Sequence, residues 1–273
     1  MKFMIGTDAE IMLKKRNKFV SAIPVLGKKG AKLPFGKLFY DNVLAEFTVK
    51  PAKNSKDFIK HIQRNLKAAE RYFKKKGIEI YFVSSAHYPK KELGHPMAKV
   101  FGCSPDYNAY DVCVNKVSSS ASKTNLRSAG AHVHFSNKVF ADPYKVIEMI
   151  KMMDLILGVP SLIIDNTPEA KERRKLYGKA GAHRQKEEYP GGEYRTISNF
   201  WIKTPELINW VYCGTAKSLG EILKGNTVSK LGFNEKKIRK IIDTGNIKRA
   251  EALCKVIKTK LNYDVLNTGE MND

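Results

Sequence analysis

The sequence predicts a mixed fold of the α+β class, with an antiparallel sheet first and helices last. Residues 2–13 alternate in the manner of a strand, and further strand-like segments recur up to about residue 200. Beyond Pro205 the apolar residues recur at helical spacing instead. No internal repeat or clean linker divides the 273 residues, which suit one large domain or two small ones.

The individual elements follow from local patterns. Alternation in residues 2–13 places Ile5, Ala9 and Ile11 on one face and Asp8 and Glu10 on the other. Further predicted strands are residues 43–49, 78–84, 129–136 and 193–200, and residues 102–110 form a turn-rich loop. The first predicted helix, 55–76, is capped by Asn54 or Ser55 and ends at Gly77. The second, 143–157, is broken by Gly158 and Pro160. The remaining predicted helices are 206–223, 234–242 and 247–261. Residues 167–192 read as a long polar loop with some helix.

The composition is strongly basic, with a net charge of +22 from 49 lysines and arginines. Such a field attracts polyanions such as nucleic acid, nucleotides, acidic peptides or membrane surfaces. The basic residues are nevertheless spread along the whole chain, which favours an ordinary solvated basic surface. Charge alone therefore does not name a partner.

Cysteine use and hydropathy predict a cytoplasmic protein. Cys103, Cys113, Cys213 and Cys254 form no CxxC pair and read as reduced, buried thiols. The longest apolar stretch, residues 155–164, is too short to span a bilayer, and the first residues lack the apolar run of a signal peptide.

Acidic residues on two predicted strands suggest a metal site. Asp8 and Glu10 lie on the same face of their strand, about 7 Å apart, and two such carboxylates repel each other unless a cation or proton lies between them. Glu46 is the single acid in an otherwise apolar strand. Exposed strand faces carry such residues too, so neither observation decides alone.

Histidine and arginine residues strengthen that interpretation. His132 and His134 share one face of a strand that begins with small residues, and imidazoles bind metals and phosphoryl oxygens. The segment 173–184 combines arginines, lysines and glycines, which suits an anion site for phosphate or for nucleic acid. Glu193 and Arg195 also share a strand face, as a surface ion pair or as a metal ligand beside a substrate clamp.

The order of these motifs resembles the glutamine synthetase and glutamate–cysteine ligase superfamily, and more narrowly the phage-type COOH–NH2 ligases (amidoligase type 2). The stretches that carry the resemblance are IGTDAEIML, DNVLAEFTVKPA, FGCSPDYNAY, RSAGAHVHFS and RRKLYGKAGAHRQKEEYPGGEYRTISNFWI, within residues 5–203. The resemblance implies a curved antiparallel half-barrel sheet with flanking helices, which binds ATP and two or three Mg²⁺ ions, with Mn²⁺ as an alternative. It also implies that amide formation proceeds through an acyl phosphate.

The resemblance also assigns roles to residues. The implied metal ligands are Asp8, Glu10, Glu46, His132 and Glu193; the implied cofactor-binding residues are Arg173, Arg174, Lys179 and His134; and the implied catalytic residues are Arg174, Arg184 and Arg195. Asp8 departs from the Glu-x-Glu pair of glutamine synthetase proper. The substrates would be a small-molecule or peptide carboxylate and amine. An acidic protein or nucleic acid would be the partner of the basic surface, and no membrane partner is expected. A phage-encoded protein would be located in the host cytoplasm.

Two other functions remain open at this point. A metal-dependent hydrolase could use the same acids and histidines to activate water, but it leaves the arginine-rich loop unexplained. A basic nucleic-acid-binding protein without catalysis would explain the net charge. The expected division is a catalytic domain at residues 1–203, a helical region packed on it at 204–262, and a tail at 263–273.

Overall fold

The computed structural model describes residues 3–99, 106–115 and 124–269. Its strands are β1 (Met4–Lys15), β2 (Lys18–Val20), β3 (Ala31–Leu33), β4 (Gly36–Asp41), β5 (Leu44–Ala52), β6 (Glu79–Tyr81), β7 (Ser85–His87), β8 (Tyr107–Asn108), β9 (Cys113–Val114), β10 (Leu126–Ser128), β11 (Ala131–Ser136), β12 (Ala182–Gln185) and β13 (Gly191–Tyr194). The helices are α1 (Ile23–Leu26), α2 (Ser55–Lys74), α3 (Pro143–Met153), α4 (Val159–Ile164), α5 (Pro168–Leu176), α6 (Pro205–Leu223), α7 (Glu235–Thr244) and α8 (Ile247–Leu261).

Eleven of these strands form one open, antiparallel sheet, as the sequence predicts. Its order is β3-β4-β5-β1-β11-β13-β12-β8-β9, with β2 and β6 paired to the far end of β1, while β7 and β10 form a separate pair. The long first strand is central because it pairs with both β5 and β11. The predicted α+β class is therefore confirmed.

The two faces of the sheet differ in chemistry, and β1 shows this most clearly. Its apolar residues Ile5, Ala9 and Ile11 are fully buried and share one core with residues of α2, including Phe58 and Ile62. Asp8 and Glu10 project from the opposite face, since side chains alternate along a strand. Helix α2 thus covers one face of the sheet and leaves the acidic face to the site described below.

The helix starts follow the predicted capping chemistry. The side chain of Asn54 accepts a hydrogen bond from the Asp57 N–H at the start of α2, and Gly77 adopts a left-handed conformation, with φ of 66°, just beyond the end of that helix. Asp142 and Thr204 cap α3 and α6 in the same way as Asn54 caps α2. Local sequence thus fixes where these helices begin.

The predicted break of the apolar helix at Gly158 and Pro160 is wrong. Residues Asp154–Gly158 form a π-helical turn between α3 and α4, so the helical path continues through both residues. Pro160 has no backbone N–H to donate, and the wider turn that precedes it accommodates this missing hydrogen bond. Gly158 is required by packing, because a β-carbon there would lie 2.7 Å from the Tyr194 hydroxyl oxygen.

Three other elements differ from their predicted extents. The polar segment 167–192 contains helix α5 and strand β12. Strand β12 pairs with β13 and β8, but its polar residues give no strand pattern in the sequence. The strand predicted at 193–200 ends at Tyr194 and gives way to a 3₁₀ turn, Asn199–Ile202. The strand predicted at 78–84 shortens to β6. The loop predicted at 102–110 lies partly outside the described residues.

The C-terminal helices share the core of the sheet. One buried cluster includes Ile5 of β1, Val211 of α6 and Ile257 of α8. Beyond α8, Val265 is buried and its carbonyl oxygen accepts a hydrogen bond of 2.8 Å from the Trp210 indole N–H. The division of the chain near residues 203 and 262 stays a prediction.

The described cysteines are free thiols, but the prediction that all are buried is wrong. Cys254 is buried and Cys213 is half-buried. Cys113 is exposed on the short strand β9, which lies at the edge of the sheet. Cys103 lies outside the described residues. Within the described ranges, no helix combines the length and apolarity needed to cross a membrane.

Candidate active site

Polar residues on the acidic face of five adjacent strands lie at paired register positions. The opposed pairs are Glu46 and Glu10, Asp8 and His132, His134 and Glu193, and Glu193 and Arg184. Residues directly opposite each other on antiparallel strands project to the same face. The pairing of β5, β1, β11, β13 and β12 therefore brings together side chains that are far apart in sequence.

Asp8, His132 and Glu193 form the first compact group. The His132 Nδ1 atom lies 3.0 Å from Asp8 Oδ1 and 3.2 Å from Glu193 Oε1. His134 lies beside this group, with its Nε2 atom 3.1 Å from Asp8 Oδ2 and 3.7 Å from Glu193 Oε2. The predicted common face for the two histidines is thus the face that carries the two acids.

Charge and burial in this group act against each other. Burial and the nearby Arg195 disfavour the charged form of His132, but Asp8 and Glu193 together raise its pKa to about 9. Burial also disfavours ionised Asp8, yet His134 and His132 hold the pKa of its carboxyl well below the ordinary value. Glu193 is fully buried, and His132 and Arg195 lower its pKa in spite of that burial. The group thus favours paired positive and negative charges.

Glu10, Asp41 and Glu46 form the second group, which is purely acidic. The Glu10 Oε2 atom accepts a hydrogen bond of 2.5 Å from the Gly130 N–H, and the Glu10 N–H donates to the Gly130 carbonyl oxygen at 2.9 Å. Burial raises the pKa of Glu10 to about 7. Burial, followed by the charges of Asp8 and Glu10, raises the pKa of Glu46 well above its ordinary value.

Asp41 was not among the predicted ligands. It ends β4 immediately before Asn42, which adopts a positive φ in the turn to β5. An Asp-Asn pair is a common turn signal, so its sequence suggests only a structural role. Burial raises the pKa of the Asp41 carboxyl as well, although the charges of His132 and Arg195 act in the opposite direction.

Arg195 is a deeply enclosed cation of the site. It is 2% exposed, forms an ion pair with Glu193, hydrogen-bonds the Tyr177 hydroxyl, and has its Nε atom 3.4 Å from Asp106 Oδ1. The Tyr177 ring lies 5.4 Å from the guanidinium carbons of both Arg195 and Arg173. Neither Asp106 nor Tyr177 was assigned a role from sequence, although both lie in motif stretches.

Two further cations reach Glu193 from β12 and the residue that follows it. The Lys186 Nζ atom lies 2.6 Å from Glu193 Oε2, and the Arg184 guanidinium lies 3.7 Å from the same oxygen. Arg184 was predicted as part of the site and Lys186 was not, because one lysine among many in this chain carries no signal. A cavity of about 900 Å³ adjoins both side chains and is also lined by Tyr107, Phe140 and Tyr189.

The other residues of the predicted anion segment have different surroundings. Arg173 is buried and donates hydrogen bonds to the carbonyl oxygens of Thr196, Arg195 and Ile197, so it anchors the chain beside Arg195. Arg174 is half-buried, and burial together with Arg173 lowers its pKa to about 10. The Lys179 Nζ atom lies 3.4 Å from the Asp243 carbonyl oxygen on α7.

The donor atoms fit divalent cations. Within each group, one candidate ligand atom from each of the three residues lies within 4.8 Å of the others. Carboxylate oxygens are the ligands that Mg²⁺ and Mn²⁺ prefer, and the imidazole of His132 is a common metal ligand as well. In addition, the buried His132 Nε2 atom has no hydrogen-bond partner. Both groups therefore have the composition of a metal site.

Comparison with known proteins bears on the same region. Residues 113–246 match the family model described as phage phiEco32-like COOH.NH2 ligase, type 2. The matched segment includes His132, His134, Arg184, Glu193 and Arg195. The match supports the resemblance predicted from the motifs, and the matched family is one of carbon–nitrogen ligases. No curated protein matches the chain.

Two solved structures show a distant likeness. A bifunctional glutathione synthetase from Pasteurella multocida aligns at 10% identity over 98% of this chain and 50% of its own length, with a TM-score of 0.40. The ligand-free protein GmaS aligns at 10% identity over 96% of this chain and 69% of its own, with a TM-score of 0.42. The chain thus spans half the length of that glutathione synthetase.

Proposed function

Because residues 113–246 match the COOH–NH2 ligase family, we propose that this protein joins a carboxylate to an amine at the expense of ATP. The observation that carries the proposal is the cross-strand array described above. It combines two candidate metal-binding groups with Arg184, Lys186 and Arg195 around one buried acid, Glu193. Phosphoryl transfer needs this combination of metal ligands and cations.

In the proposed site, Asp8, His132 and Glu193 hold one Mg²⁺ ion and Glu10, Asp41 and Glu46 hold another. Bound metal would neutralise charge on the phosphate oxygens of ATP. The chain itself contributes the rigid spacing, because every ligand except Asp41 lies within a strand of one sheet and Asp41 ends a strand. A third ion, and Mn²⁺ as an alternative to Mg²⁺, remain part of the proposal.

The reaction would take two steps. An oxygen of the substrate carboxylate bonds to the γ-phosphorus of ATP, and the bond from that phosphorus to ADP breaks. The amine nitrogen then bonds to the carbonyl carbon of this acyl phosphate, inorganic phosphate leaves, and the nitrogen loses a proton. Arg195 and Arg184 would hold the moving phosphoryl group or the substrate carboxylate, since guanidinium groups bind both in a bidentate manner.

The cavity beside β12 suits the organic substrates. Arg184 and Lys186 line it close to Glu193, and Tyr107, Phe140 and Tyr189 supply apolar lining surface. A carboxylate bound at the cationic end would lie next to the candidate metal group. We therefore propose that at least one of the two substrates enters through this cavity.

A metal-dependent hydrolase on the same residues is the second candidate function. It would use the two metal-binding groups to activate water. The cations around Glu193 favour the ligase, because a hydrolase has less need of three positive side chains beside one metal ligand. The two functions differ in whether ATP binds.

Calorimetric titration with ATP, with and without Mg²⁺, tests the proposal without knowledge of the substrates. The wild type is compared with Glu10→Gln and with Glu251→Gln, a matched change at an exposed residue of α8. Binding that requires Mg²⁺, is lost in Glu10→Gln and persists in Glu251→Gln is the expected result. Absence of ATP binding under every metal condition would overturn the ligase proposal and favour the hydrolase.

A trapping experiment tests the acyl phosphate. Candidate carboxylates are incubated with the protein, ATP, Mg²⁺ and hydroxylamine, which converts an acyl phosphate into a hydroxamate. Hydroxamate formation that matches ADP release identifies the carboxylate. ADP release without any hydroxamate, across carboxylates that stimulate it, would contradict this route.

A further inference from the structure

Helix α2 carries a regular row of cations on its exposed surface. Six exposed basic residues follow one another at intervals of three or four residues, which places them along one side of a helix. We call this row the basic stripe; it consists of Lys56, Lys60, Arg64, Lys67, Arg71 and Lys74. A helix of 20 residues is about 30 Å long, so the stripe is an extended linear array.

The basic stripe is not neutralised by the protein itself. Within the described ranges, no ion pair involves any of its six members. The only acids of α2 are Asp57 and Glu70, and the Asp57 carboxylate accepts a hydrogen bond from Asn54 at the helix cap. Like charges three and four residues apart repel, so the stripe weakens its own helix. An external polyanion would relieve this repulsion.

The chemistry of the surface distinguishes among polyanions. The large apolar residues that are exposed in the described ranges all lie outside α2. Stable protein interfaces need buried apolar or aromatic anchors, and helices that bind membrane surfaces need an apolar face turned to the lipid. Contacts to a sugar–phosphate backbone need only lysine and arginine. The stripe therefore fits nucleic acid better than an acidic protein or a membrane.

The position of the stripe makes such binding compatible with catalysis. The apolar side of α2 packs on the face of the sheet that carries Ile5, Ala9 and Ile11. Asp8 and Glu10 project from the other face of the same strand, so a polymer lying on the stripe leaves the candidate active site uncovered. Binding at α2 would be a separate property from the ligase activity.

From these observations we propose that the basic stripe of α2 binds the phosphate backbone of a nucleic acid without sequence preference. The stripe offers only positive charges along a helix and no arrangement of hydrogen-bonding groups that would distinguish one nucleobase from another. Affinity then depends steeply on salt, because each neutralised phosphate releases counterions.

Fluorescence anisotropy with a labelled 20-base-pair duplex of mixed sequence, between 50 and 200 mM salt, tests this proposal. The stripe variant carries Arg64→Gln, Lys67→Gln, Arg71→Gln and Lys74→Gln. The control variant removes the same charge from exposed positions on α7 and α8, with Lys236→Gln, Lys240→Gln, Lys248→Gln and Arg249→Gln. Circular dichroism establishes that both variants keep the helical content of the wild type.

The stripe variant should bind the duplex about 30-fold more weakly at 100 mM salt, and the slope of log affinity against log salt should fall by about 3. The control should weaken binding less than about threefold, and a second duplex of different sequence should give the same results. Equal losses in both variants would mean diffuse charge only and would overturn the proposal. So would an undetectable affinity of the wild type, or tighter binding to polyglutamate or to anionic vesicles than to the duplex.

Titration of ATP separates this proposal from the proposed function. The stripe variant should bind ATP with Mg²⁺ as the wild type does, since no stripe residue belongs to the candidate active site. Loss of ATP binding in the stripe variant would contradict the separation of the two surfaces.

Discussion

Glu10 and Glu46 stand directly opposite each other on the paired strands β1 and β5. The two carboxyl groups share one part of the sheet face with Asp41. Like charges at opposed positions destabilise a sheet, so this pairing costs stability unless a cation or a proton neutralises it.

The first prediction follows from that pairing. Glu46→Gln should raise the melting temperature of the metal-free protein by about 2–4 °C, since it removes roughly 1 kcal/mol of repulsion. The same change should reduce the additional rise that Mg²⁺ produces, because one ligand is lost. Thermal unfolding with and without Mg²⁺ measures both effects, with Glu251→Gln as the control. A Glu46→Gln protein with lower stability and an undiminished Mg²⁺ effect would contradict the second metal site.

The second prediction concerns Arg195, which links Glu193 to Tyr177. Arg195→Lys keeps the charge but cannot hold both partners with one short ammonium group. We expect ADP release with the identified substrates to fall about 10²–10³-fold in kcat/KM, the typical effect of losing one transition-state contact.

Tyr177→Phe serves as the comparison for Arg195→Lys. It retains the ring near the guanidinium groups of Arg173 and Arg195 and removes the hydroxyl group that Arg195 hydrogen-bonds. We expect a loss of less than about tenfold, because the cation that would touch the substrate is still present. Equal losses of kcat/KM in the two variants would mean that the placement of Arg195 by Tyr177 matters, rather than a direct contact of Arg195 with the substrate.

The third prediction tests the close approach at Gly158. A methyl group there would meet the Tyr194 hydroxyl at 2.7 Å and the Ile242 side chain at 3.0 Å. Gly158→Ala should therefore lower the free energy of unfolding by about 1–3 kcal/mol, as overpacking does. Gly220→Ala, near the end of α6 and with no atom within 4 Å of the added carbon, should instead raise it by up to about 1 kcal/mol. Chemical denaturation compares the two, and a destabilised Gly220→Ala protein would show that the helix rather than the contact is sensitive.

The fourth prediction is a pH effect from Asp154 in the π-helical turn. Its carboxylate is fully buried and accepts hydrogen bonds from the Gly181 N–H at 2.6 Å and from the Tyr194 hydroxyl at 2.7 Å. Burial nevertheless dominates and raises the pKa of Asp154 to about 7. The folded state therefore prefers the protonated form, while the unfolded chain ionises near its ordinary pKa of about 4.

The sign of the effect follows from that difference. The contribution of Asp154 to stability is fully present below about pH 4 and is lost as the pH rises to about 7. Asp154→Asn lacks this loss, so its free energy of unfolding relative to the wild type should increase between pH 4 and 7 by roughly 1–3 kcal/mol. Urea denaturation across that range measures the difference. A difference independent of pH would contradict the raised pKa.

Sequence alone determined the elements whose signals are local. Alternation in β1 separated Ile5, Ala9 and Ile11 from Asp8 and Glu10, because side chains of a strand alternate whatever its neighbours are. Capping residues such as Asn54 marked where helices begin, since the hydrogen bond they accept lies within the next three residues. The His132 and His134 pair was predicted for the same reason.

Only the tertiary structure decided which of these residues meet. Glu46 faces Glu10, and Glu193 lies between His134 and Arg184, because of strand register, which depends on pairing between distant segments. Asp41, at the turn after β4, and Lys186, just after β12, belong to the site, although neither position carries a chemical signal in the sequence. Arg173 turned toward backbone carbonyls that lie more than twenty residues away. Local periodicity fixes the face of a side chain, whereas its partners depend on long-range packing.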